Sequence, residues 1–76
     1  MHELPNDPRT MLITLNGQPE TLADGTTVAT LLDQLQLAPI RVAVEVNEEL
    51  VTRREFSVTP LHEGDRMEVV TFVGGG

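Results

Sequence analysis

From Met11 an apolar-rich, strand-like run sets Met11, Ile13 and Leu15 on one face. The pattern breaks at Asn16-Gly17 and resumes through Thr21 and Leu22. Asn-Gly between two strand-like runs predicts a tight hairpin, because both residues tolerate the positive φ of a type I′ turn. Pro19 has no amide hydrogen to give a ladder, which places the second strand at a sheet edge. The period then changes. Val28, Leu31, Leu32 and Leu35 follow i, i+3, i+4, i+7 and line one face of a helix. Asp24-Gly25 makes the preceding turn, Thr26 or Thr27 caps the first free amides, and Ala38-Pro39 ends a helix of about three turns. So small a domain needs the leucine stripe for its core.

Alternation returns in "IRVAVEVNEELV", with Val42, Val44 and Val46 facing one way and Arg41, Ala43 and Glu45 the other. Asn47-Glu48 is a turn into a short segment around Leu50-Val51. After "TRREFSVTPL", interrupted by Pro60, a Gly64-Asp65 turn leads to a last strand from about Met67 to Val73. Met67, Val69 and Thr71 share one face of it, and Glu68, Val70 and Phe72 the other. The order of elements predicts an α+β fold in which one main helix covers one face of a small mixed sheet. Val70 and Phe72 then fall on the uncovered face, where exposed apolar residues beside the chain end form a docking patch.

Composition narrows the function. With 76 residues the chain is one domain, and without cysteine it has neither disulfides nor thiolate metal sites. Its two histidines, His2 and His62, are far apart in sequence, which argues against a metal site. No lysine and no histidine–carboxylate cluster is present to support side-chain catalysis. The formal charge of −7, with twelve acidic residues against five arginines, repels phosphate backbones, and two aromatics make no stacking platform, so nucleic acid is not the expected partner. A basic protein surface fits that charge better. No apolar run approaches the roughly 18 residues that span a bilayer, and "MHELPNDPRT" lacks the basic and apolar regions of a signal peptide. The expectation is a cytoplasmic protein with residues 1–10 as a disordered leader, 11–73 as the domain and 74–76 as a flexible glycine tail.

The ending "VTFVGGG" carries the chemistry. A terminal glycine presents a carboxylate with no Cβ beside it, on a backbone thin enough to enter a narrow channel. Together with "DGTTVATLLDQL", "VAVEVNEELVTRREF" and "HEGDRMEVVTFVGGG", this ending resembles the ubiquitin-like β-grasp family, and within it the ThiS-type sulfur carriers of thiamine biosynthesis. The resemblance runs from Met11 to Gly76. Two departures stand out: family members commonly read Val-Pro-Arg followed by a tryptophan, where this chain has Val51-Thr52-Arg53 and Phe56.

The resemblance implies a carrier that is a co-substrate and no enzyme. A ubiquitin-activating-like adenylating enzyme (ThiF-type) would adenylate the Gly76 carboxylate, using ATP and Mg that this chain does not itself bind. A sulfur donor protein would then leave a thiocarboxylate, and a thiazole synthase (ThiG-type) would accept the sulfur. Gly74 and Gly75 would thread the partner's channel, with Val73, Phe72 and Val70 as the grip. Three other readings stay open: a carrier of the molybdopterin-synthase small-subunit type, a ubiquitin-like protein modifier, and a passive β-grasp interaction module.

Overall fold

The computed structural model describes residues 9–72. Residues 1–8 of the expected leader, together with Val73 and Gly74 to Gly76, lie outside the described residues. Six elements follow in chain order: β1 (Thr10–Leu15), β2 (Gln18–Ala23), α1 (Val28–Gln34), β3 (Val42–Val46), β4 (Glu49–Val51) and β5 (Arg66–Thr71). Short 3-10 segments occupy Pro39–Arg41 and Arg53–Val58. The strands form one five-stranded sheet in the order β2-β1-β5-β3-β4. Only β1 and β5 pair in parallel; the other neighbours are antiparallel. This is the expected mixed sheet with one main helix, of the β-grasp type.

Both two-residue hairpins turn through residues with positive φ. Asn16 and Gly17 sit at φ 50° and 84°, joining Leu15 to its partner Gln18. Asn47 and Glu48 sit at φ 53° and 71° between Val46 and Glu49. The second turn forces a glutamate into the left-handed region, which costs about 1 kcal/mol more than glycine would. β2, carrying Pro19, is an edge strand as expected.

One face of the sheet is closed by α1. Met11, Ile13, Leu15 and Leu22 from the first hairpin, Val42 and Val44 from β3, Val51 from β4 and Met67 from β5 are all buried there. They meet Val28, Leu31 and Leu32 of the helix, with Phe56 and Leu61 closing the layer from the long connection into β5. Complete burial of side chains this size stabilises by roughly 1.5–3 kcal/mol each.

The helix differs from expectation at its C-terminal end. It has seven residues, two turns instead of about three, and Leu35 is a half-exposed C-cap outside the buried stripe. Pro39 does not stop it. Gln36 at φ 61° does: its N–H donates to the Asp33 carbonyl (3.0 Å), and the Leu37 N–H donates to the Leu32 carbonyl (2.9 Å). These two bonds are the Schellman pattern, which satisfies the last carbonyls of a helix. At the other end Thr27 is the N-cap, its Oγ1 accepting from the Thr30 N–H at 3.1 Å. Thr26 is instead buried, with its hydroxyl donating to the Ala23 carbonyl at 2.6 Å.

Two further boundaries moved. β1 starts at Thr10, one residue before Met11, and the carbonyl of Arg9 already accepts from the Asp24 N–H at 2.7 Å. The segment after β4 is a 3-10 turn, begun where the Glu55 carboxylate accepts from the Thr52 hydroxyl (2.9 Å) and the Thr52 N–H (3.4 Å). That exchange is centred on Thr52, where ThiS-type carriers commonly have proline, and Phe56 in the same turn is buried in the core.

Candidate functional site

The face of the sheet that α1 leaves uncovered collects the residues singled out from the pattern. Glu68, Val70 and Phe72 project there by strand alternation, and Val70 and Phe72 are 61% and 55% exposed. Across the β3–β5 ladder, Val70 lies opposite Ala43 and Glu68 opposite Glu45. Leu50 of β4 lies opposite Glu45 on its other side and is also exposed. Leu12 of β1 adds a further exposed apolar side chain to this face. Leu12 and Leu50 were missed in the sequence, though their alternation with buried Met11 and Val51 was there to be read.

The face therefore changes character along β5. Near the chain end it is apolar, through Ala43, Val70 and Phe72. Toward the start of the strand it is acidic: Glu45 and Glu68 are directly opposed, and with Glu48 and Arg66 they line a shallow depression of about 90 Å³. Like charges facing across a ladder are unfavourable. The nearby Arg66–Glu48 pair, at 3.7 Å and largely exposed, offsets little of that.

The last turn of chain before the glycines is held from both sides. On one, the Phe72 N–H donates to the Arg41 carbonyl at 2.8 Å. On the other, the Asn16 amide grips Val69: its Oδ1 accepts from the Val69 N–H at 2.9 Å and its Nδ2 donates to the Val69 carbonyl at 3.3 Å. Asn47 holds the start of the same strand, its Oδ1 accepting from the Arg66 N–H at 3.0 Å while its own N–H donates to the Arg66 carbonyl at 2.7 Å. Both asparagines were legible as turn formers; their side-chain hold on β5 was not. Val73 and Gly74 to Gly76, the rest of the expected site, fall beyond the described residues.

A larger open groove, about 470 Å³, runs between the β3–β4 hairpin and the connection into β5, beside Val51, Glu55, Val58, His62 and Asp65. Asp65 there closes a turn, accepting from the His62 N–H at 2.8 Å. Among the described residues no three His, Cys, Asp or Glu side chains gather to hold a metal ion, and no helix is long and apolar enough to cross a membrane.

With this geometry in place, comparison with known proteins is informative. A model of the ThiS family matches residues 13–76. The chain is 37% identical over 65 residues to the sulfur carrier protein ThiS of Thermus thermophilus, covering 86% of this chain and 100% of that protein. It is 47% identical over 66 residues to a thiazole synthase of Magnetococcus marinus, covering 87% of this chain. It spans only 20% of that synthase, and the same share of a second one, from Paramagnetospirillum magneticum. Among solved structures, the thiamine biosynthesis protein ThiS from Geobacter metallireducens superposes with a TM-score of 0.74. The two are 39% identical, with 87% of this chain and 100% of that one covered.

Proposed function

The chain belongs to the ThiS family, and on that premise we propose that it is a sulfur carrier for thiamine biosynthesis whose working group is the carboxylate of Gly76. A carboxylate is a poor electrophile until one oxygen becomes a good leaving group. Attack of the Gly76 carboxylate on the α-phosphate of ATP, held with Mg by a ThiF-type adenylating enzyme, releases pyrophosphate and leaves an acyl adenylate. Attack by the outer sulfur of a donor protein's persulfide then expels AMP and forms an acyl disulfide, and a second thiol cleaves its S–S bond, ending as a disulfide with the donor sulfur and leaving a thiocarboxylate on Gly76. That sulfur is the nucleophile offered to a thiazole synthase.

This chain's own part is binding and delivery. Val70 and Phe72 on the open face, with Val73 after them, grip the partner, while Gly74 and Gly75 present no side chain to obstruct a narrow channel. The acidic surface favours partners with a basic rim. Nothing in the reading requires a catalytic side chain here, and the chain acts as co-substrate.

The family match reaching from residue 13 through the glycines to residue 76 is the observation that carries this reading. Its test is intact mass after incubation with ATP, Mg, the adenylating enzyme and a sulfide source. The expected gain equals exchange of one oxygen for sulfur, localised to Gly76. A chain lacking Gly75 and Gly76 is expected to keep its fold and show no gain. Unchanged mass of the full chain with active enzyme overturns the proposal.

A further inference from the structure

The hydrogen bonds at the end of β5 leave one lane of the sheet open. The Phe72 N–H to Arg41 and Asn47 N–H to Arg66 bonds mark the even-numbered residues of β5 as those that face β3. Bonded and non-bonded pairs alternate along an antiparallel ladder, so Met67, Val69 and Thr71 turn their N–H and C=O groups toward β1. Met67 is met there by the Asn16 N–H, donating to its carbonyl at 2.9 Å. Val69 is met by the Asn16 side chain, which stands in for the next residue of a strand.

Beyond Asn16 the substitution stops. β1 has ended at Leu15, and the chain has folded back into β2. Thr71 is exposed, and among the described residues none hydrogen-bonds its N–H or C=O on that side. Beside it on the open face stand Val70 and Phe72. An unpaired strand edge next to exposed alternate side chains is the combination used in strand addition, where main-chain bonds give affinity and side chains give specificity.

We propose that a strand of the thiazole synthase completes the sheet here, lying beside Thr71 in the lane that β1 vacates. This rests on the sulfur-carrier reading and deepens it by naming how the partner holds the arm. The synthases of Magnetococcus and Paramagnetospirillum match this chain over one part of their own length, so there a similar domain is tethered to the enzyme at high effective concentration.

The test uses the full chain and its thiazole synthase, with binding followed by calorimetry. Thr71→Val keeps the N–H and is expected to bind within about twofold of the parent, since it removes no hydrogen bond of the lane. A semisynthetic chain with an ester replacing the Thr71 amide is expected to bind about five- to tenfold more weakly, the worth of one net hydrogen bond. Thr71→Pro also puts a ring in the lane and is expected to bind more weakly still. Because the Thr71 N–H makes no bond to β3, amide spectra of all three should retain the Ala43–Val70 and Arg41–Phe72 cross-strand contacts.

Parent-like binding by the ester and Thr71→Pro chains overturns the added strand while leaving the carrier reading intact. So does a loss seen only with the adenylating enzyme, or one traced by sedimentation to a β5–β5 dimer of this chain. Failure of the unaltered chain to bind the synthase at all removes the carrier reading as well.

Discussion

The two faces of one sheet, built from the same five strands, have opposite character. On the helix side Met67 and Val44 are completely buried, whereas three residues after Met67, Val70 stands 61% exposed opposite Ala43. The part of the covered face buried under α1 is apolar. The open face mixes apolar side chains with the directly opposed Glu45 and Glu68, an arrangement with no benefit to the isolated domain. Strand alternation lets β5 bury odd residues in the core and present its even ones on the open face, where the proposed grip lies. On the proposed reading, stability and function are therefore separable by parity.

That separation can be broken most forcefully from the covered side. Leu32→Ala is expected to destabilise the domain by about 2–5 kcal/mol, because Leu32 is fully buried and the layer above β5 cannot collapse onto the gap. Denaturant unfolding would measure it, and a loss below about 1 kcal/mol would mean that the two faces are less distinct than described. At the entrance to the same layer, Thr27→Ala removes the Oγ1 that caps α1 and is expected to cost about 1 kcal/mol.

On the open face the expected stability effects shrink while the functional ones grow. Phe72→Ala should stay within about 0.5 kcal/mol of the parent in denaturant, as exposed substitutions usually do. Its thiocarboxylate formation should nonetheless need more chain to half-saturate the adenylating enzyme. An equal drop in stability and activity would contradict the division. The smallest effect has the opposite sign: Glu68→Gln relieves the repulsion with Glu45 and should stabilise by a few tenths of a kcal/mol, less at high salt. Thermal unfolding at two ionic strengths would detect that.

Local chemistry predicted much of this. Asn16-Gly17, Asn47-Glu48 and the alternation around them gave both hairpins, since turn type and strand face depend only on neighbouring residues. Pro19 announced an edge, and the parity of β5 put Val70 and Phe72 on the uncovered side. The helix end was harder: Pro39 is a stronger sequence signal than Gln36, yet the Schellman bonds at Gln36 and Leu37 ended α1 at Gln34, five residues before Pro39. Likewise the Thr52–Glu55 exchange is a short capping pattern that the disruption at Pro60 obscured.

Sequence alone therefore determined which residues point together, because that depends on backbone period over a few positions. Only the tertiary structure decided which strands are neighbours. β5 lies at the centre, parallel to β1 and antiparallel to β3, although more than forty residues separate Leu15 from Met67. No local pattern encodes that pairing; it follows from burying all the apolar faces under one short helix. Central placement turned Asn16 from a turn residue into a clamp on Val69, and the early end of β1 left the Thr71 edge open beside the residues that lead to Gly76.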